Sequence, residues 1–122
     1  MKDYIDGFVF PISEEHLNTY KEVAHRVAEI WKEHGATAYF EFIGDDLFLE
    51  GTQSFTTLLK AKKEEVIIFG WVVFPSKEIR DLANQKVPLD DRMEKLTAPL
   101  TQYNRQIFDA SRMAYGGFKS LF

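Results

Sequence analysis

The sequence predicts an α+β fold, a ferredoxin-like βαββαβ subunit in which one four-stranded antiparallel sheet carries its helices on a single face. Three observations lead there. Strand-like and helix-like runs alternate in the order strand, helix, strand, strand, helix, strand. The two long helical runs are amphipathic, so each has one face to bury. The opening run Tyr4-Ile5-Asp6-Gly7-Phe8-Val9-Phe10 is answered by the closing run Arg112-Met113-Ala114-Tyr115-Gly116-Gly117-Phe118, which makes both ends strands of one domain spanning residues 1–122. Each of these runs sets Gly among bulky aromatics, where it is disfavoured unless a backbone or a ligand comes close.

Residues 4–12 read as a strand ended by Pro11, with Ser13 as a helix N-cap and Ile12 and Leu17 placed as a hydrophobic staple. From 14 to 34 the residues Leu17, Tyr20, Val23, Ala24, Val27, Ala28, Ile30 and Trp31 share one arc at about 100° per residue. Gly35 is the expected residue just past the helix end. Ala36–Ile43 is a strand stopped by Gly44-Asp45-Asp46, and Phe55, Leu58 and Leu59 after Ser54 predict a short helix. Val66–Phe74 is the strongest strand, closed by Pro75 and expected at the centre of the sheet. Ser76 caps a helix carrying Ile79, Leu82, Ala83 and Val87; Pro88 interrupts it, and Asp90 or Asp91 restarts it through Met93 and Leu96. Residues 97–111 are expected to connect to the final strand.

Helices cover one face of such a sheet, yet Ile67, Phe69, Trp71 and Val73 alternate with Val66, Ile68, Val72 and Phe74. The second set is expected to be left uncovered in a monomer, and a contiguous apolar patch of that size calls for a partner. A second copy of the same sheet is the simplest cover, so a homodimer is expected.

Eleven phenylalanines, five tyrosines and two tryptophans can fill one core. The absence of cysteine excludes disulfides, thiolate nucleophiles and Cys-ligated metals. The start Met1-Lys2-Asp3-Tyr4 runs directly into a strand, and no apolar run approaches the roughly 20 residues that span a bilayer, so a cytoplasmic location without membrane contact is expected. A net charge of -4 gives no general attraction to phosphate backbones, and no nucleic-acid partner is expected. RNA-recognition modules share this strand order, and Phe69-Gly70-Trp71-Val72-Val73-Phe74 is close to their aromatic third strand, but the basic-Gly opening is missing.

The chain resembles the YbaA-like family of small bacterial proteins, within the dimeric α/β-barrel superfamily. Nearly the whole length carries the resemblance. Its residues are Tyr4-Ile5-Asp6-Gly7-Phe8, Trp71, Pro75-Ser76, Arg80-Asp81, Asn84, Lys86, Asp91-Arg92-Met93, Phe108-Asp109 and Arg112-Met113-Ala114-Tyr115-Gly116-Gly117-Phe118. The resemblance implies a ferredoxin-like subunit whose sheet packs on a twin to close a barrel. It implies no activity, because the family's function is unknown. Leu47-Phe48-Leu49-Glu50-Gly51 and Ala110-Ser111 depart from the family pattern, which has a polar Pro-Gly turn and Gly-Lys there.

No motif for triad hydrolysis, phosphoryl transfer or a cofactor stands out. The three histidines make no shared helical metal site, since His25 points away from His16 and His34, which lie about 27 Å apart along the helix. His34, at the rim of the apolar arc, is read as a helix-end packing group or, in the functional reading, a ligand contact. Charges within strands are the better candidates: Asp6, Glu41 and Arg112. Asp6 and Arg112 on neighbouring strands form either a structural ion pair or part of a site in which Asp6 or Glu41 is a general base whose pKa desolvation has raised. Trp71 and Tyr115 are the expected pocket walls, with core packing as the plainer account. Arg80, Asp81, Asn84 and Lys86 read as a solvated helix face. The expected function is binding of a small apolar or aromatic molecule in a barrel-side cleft, with or without cofactor-free acid–base chemistry. The alternative is a non-catalytic binding or stress-related accessory protein.

Overall fold

The computed structural model describes residues 2–101 and 107–122. Its elements are β1 (Tyr4–Ser13), α1 (Leu17–Glu33), β2 (Ala38–Ile43), α2 (Phe55–Leu58), β3 (Glu65–Phe74), α3 (Lys77–Lys86), α4 (Asp91–Thr101) and β4 (Ala114–Lys119). The sheet is antiparallel in the order β2-β3-β1-β4, so the central pair is β3 with β1 and the edges are β2 and β4.

Side chains alternate across each strand, and the register sorts them into two faces. On the helix side, Phe10, Ile12 and Ile68 pack with Tyr20 and Val23 of α1 and Leu100 of α4. Beside them Val72 and Phe74 pack with Ala36 and with Ala83 of α3. Phe10 and Phe74 are essentially free of solvent, and each such burial contributes about 1.5–3 kcal/mol. Val72 and Ile68 therefore face the helices, not the uncovered side. The set on the opposite face is Ile67, itself buried, with Phe69, Trp71 and Val73, and Phe40 and Phe42 lie beside it. Trp71 stacks on Phe42 at 5.4 Å and tilts against Phe40 at 5.3 Å, and Phe55 of α2 packs edge-on to Phe69. Phe42, Phe69 and Phe118 leave much of their surface in water.

The helix starts and stops follow their local chemistry with two changes, one at Ser13 and one at Pro99. Ser13 is extended as an N-cap should be, but its hydroxyl makes no capping bond, and a 3-10 turn over Glu14–His16 precedes α1. Ser54 and Ser76 do cap, accepting from Thr56 and Ile79 amides. Gly35 has φ +117°, and a Cβ there would stand 2.5 Å from Ile79 Cγ2, so both the turn and the approach of α3 require glycine. Pro88 ends α3 in a 3-10 turn over Val87–Leu89, and α4 then restarts at Asp91. Pro99 lies inside α4 instead of opening the connection expected from residue 97. Of that expected connection, residues 102–106 lie outside those described.

Candidate functional site

Two carboxylates sit on the helix face of the sheet, one toward each edge. Glu41, on edge strand β2, is opposite Gly70 of β3. Its two oxygens accept hydrogen bonds from the hydroxyls of Tyr20 on α1 and Tyr39 on its own strand, the latter at 2.8 Å. Tyr39 and Glu41 share a face because they are two residues apart, and Tyr20 arrives from the apolar arc of α1. Among the described residues Glu41 has no ion-pair partner. Burial raises its pKa above the ordinary 4.5, and the two tyrosine hydrogen bonds recover only part of that shift. Both phenols are in turn pushed up, first by burial and then by the neighbouring carboxylate.

Glu41 and its tyrosines line a cleft of about 870 Å³ between α1 and β2. Its inner walls are Leu17, Ala24 and Ala28 on the helix and Ile43 and Ile68 on the sheet. The two alanines leave the space that larger side chains would fill. A group here has apolar walls, a carboxyl with a raised pKa and two phenolic donors, an arrangement able to hold or exchange a proton on a bound molecule.

Asp6 of β1 lies between Val72 and Gly117 of the flanking strands and is 4% exposed. Its partner is Arg80 of α3, with Nε 3.4 Å from Oδ1, and neither of these buried atoms makes a hydrogen bond. Arg80 donates from Nη2 to the Tyr4 hydroxyl at 2.7 Å and lies over that ring, 4.6 Å from its centroid. Tyr115 and Asn84 approach the same carboxyl. Burial raises the Asp6 pKa above 3.8, opposed by Tyr115, Arg80 and Asn84 in that order. Of the positions read from sequence as a wet helix face, Arg80 thus supplies the counter-charge and Asn84 a hydrogen bond. Gly117 was the available signal, because a Cβ there would stand 2.5 Å from Arg80 Nη2 and 2.6 Å from the Tyr4 hydroxyl.

Arg112 is not the partner of Asp6. It sits in a 3-10 turn over Ala110–Arg112, ahead of β4, and binds Glu65 through Nη1 at 2.6 Å and Nη2 at 2.9 Å. That pair holds the Glu65 carboxyl below its usual range. His34 follows α1 and contacts Asp90 at 2.9 Å, while Arg92 bridges Asp90 and Glu33, so this network ties the end of α1 to the start of α4. Trp71 belongs to the open face and Tyr115 to the helix face beside Phe8, so the two do not wall one pocket. The expected residues consequently fall into five places: Glu41 in the cleft, Asp6 with Tyr115, Arg112 with Glu65, His34 with Asp90, and Trp71 on the far side. No cluster suited to a metal ion occurs among the described residues.

Sheet order and helix placement define a ferredoxin-like α+β protein. The chain belongs to the family described as protein of unknown function (DUF1428), whose model matches residues 3–109. It is 36% identical to the uncharacterized protein YbaA of Escherichia coli over 118 residues, 97% of this chain and 96% of that protein. Two solved structures share the fold at low identity. SnoaB, a cofactor-independent oxygenase from Streptomyces nogalater, superposes with a TM-score of 0.59 at 10% identity, covering 100% of this chain and 96% of its own. A nipsnap family protein of unknown function from Agrobacterium tumefaciens gives 0.57 at 15%, covering 98% and 88%. The described helices include none long and apolar enough to cross a membrane.

Proposed function

We propose that this protein is a cytoplasmic homodimer that binds a small apolar or aromatic molecule in the cleft between α1 and β2, with Glu41 as the acid–base group. One observation carries the reading: a carboxyl without a cationic partner sits in an apolar-walled cleft, between two tyrosine hydroxyls. Asp6 is the weaker candidate, because its carboxyl is already opposed by Arg80. Proton transfer of this kind needs no bound cofactor, which accords with the cofactor-independent chemistry named for SnoaB. The twin is supported by the outward face of Phe40, Phe42, Phe69, Trp71 and Phe118, an apolar surface that a second copy of the sheet would cover.

The second reading is a non-catalytic binding or accessory protein. The satisfied bonds of Glu41 favour it, since two tyrosines already occupy the carboxyl. Native mass spectrometry against a metabolite library, followed by hydrogen exchange, separates the possibilities. The expected result is a bound compound that protects α1 and β2 amides and is turned over by the wild type but not by Glu41→Gln. A bound compound that is never turned over supports the accessory role; protection elsewhere, or no bound compound, overturns the cleft assignment.

A further inference from the structure

We infer that the molecule taken by this cleft is an amphipathic anion: an aromatic or aliphatic body ended by a carboxylate, with the body between Ala24, Ala28 and Ile43 and the head at Lys21 and His25. The inference rests on the reading of the cleft as a ligand site and adds the ligand's class.

Its basis is the way charge is distributed along one wall. At about 100° per residue, Leu17, Ala24 and Ala28 of α1 share the inner strip of the cleft, and Lys21, His25 and Lys32 stand together on the next strip outward. All six line the same space. The other charges of this helix are matched: Arg26 with Glu22 at 3.9 Å, Lys32 with Glu29 at 3.6 Å and Glu33 with Arg92 of α4 at 2.9 Å. Lys21 and His25 make no ion pair among the described residues. A cation without a carboxylate therefore stands at the lip of a space whose walls are apolar, the pattern that recognises a charged head on a greasy body. Across the cleft Ile43, on the same face of β2 as Glu41, is 48% exposed, so its apolar surface is available to a body lying between sheet and helix. The Glu41 carboxyl, deeper and already bonded by Tyr20 and Tyr39, meets the body and not the head.

Phenylbutyrate and phenylbutanol share one body and differ in the head, so titrating each into the isotope-labelled protein and following its amide NMR signals is the test. Both should move the amides of Ala24, Ala28 and Ile43. The acid should bind at least about threefold more tightly, a modest factor because the head stays near solvent. Added salt and Lys21→Gln should each close that gap while leaving the alcohol unchanged. Equal affinities in the wild type, or a gap that survives Lys21→Gln, would overturn the assignment of the head while leaving the cleft as a site. If neither compound moves the cleft amides, the cleft reading itself falls and takes this inference with it.

Discussion

Arg80 reaches Asp6 across the space that Gly117 leaves empty: a Cβ at position 117 would lie 2.5 Å from the guanidinium. Glycine in a strand interior is weakening on entropic grounds, by up to about 1 kcal/mol relative to alanine. Here the steric term is larger. Gly117→Ala should therefore destabilise the protein, by about 1–3 kcal/mol, through displacement of Arg80 from Tyr4 and Asp6. Denaturant unfolding measures it, and a gain in stability would show that the contact is loose.

The Asp6–Arg80 pair should respond asymmetrically. Because burial already favours the neutral form of Asp6, Asp6→Asn should cost less than Arg80→Met, which leaves a buried carboxylate without its counter-charge and costs about 3 kcal/mol near neutral pH. Acidification should restore part of that loss by protonating Asp6. Adding Asp6→Asn to Arg80→Met should restore it too. A double-mutant cycle by chemical denaturation at two pH values checks both statements, and strictly additive losses would dismiss the coupling.

Glu41 gives a pH profile of defined sign. Its folded pKa is raised above 4.5, so the fold binds its proton more tightly than the unfolded chain does. Its contribution is fully present below 4.5 and lost as pH rises through the higher folded value. Glu41→Gln keeps an acceptor and a donor for the two tyrosines and removes the titration. The variant should melt higher than wild type at neutral pH and converge with it under acid. Thermal melts across pH decide this, and a variant that melts lower at neutral pH would contradict the argument.

The open face should behave as an interface. Trp71→Asp places a charge among Phe40, Phe42 and Phe69, where a covering subunit would have to bury it unpaired at a cost of several kcal/mol, roughly. Sedimentation should find wild type as a dimer and the variant as monomer or aggregate. A wild type that remains a well-folded monomer at micromolar concentration would remove the case for the twin.

Much of the fold was legible because periodicity reports burial: the arc of α1, the caps at Ser54 and Ser76, the break at Pro88 and the four strands all follow from local chemistry. The strand faces were harder. In β3 both alternating sets are apolar, so nothing local says that Val72 rather than Trp71 meets the helices; the register with β1 decides it. The site was legible in its carboxylates and not in their partners. Asp6 and Glu41 stand out as charges inside strands, whereas Arg80 sits on a helix among Lys77, Glu78 and Asp81, a neighbourhood that reads as solvated. Arg112 was misplaced because the run from 112 to 118 looks uniformly extended, although the chain turns at Ala110–Arg112 before the strand begins.

The pairing of Tyr4 with Lys119 also bears on how the chain reaches this state. The β1–β4 ladder joins segments separated by nearly the whole sequence, so its formation closes the largest loop available and costs more chain entropy than a local hairpin. Neither end of the chain can complete its strand alone. The native Asp6 environment, which takes Tyr115 from β4, Arg80 from α3 and Tyr4 from β1, assembles only when that closure is made, so the most distant contact in the topology also completes the polar cluster.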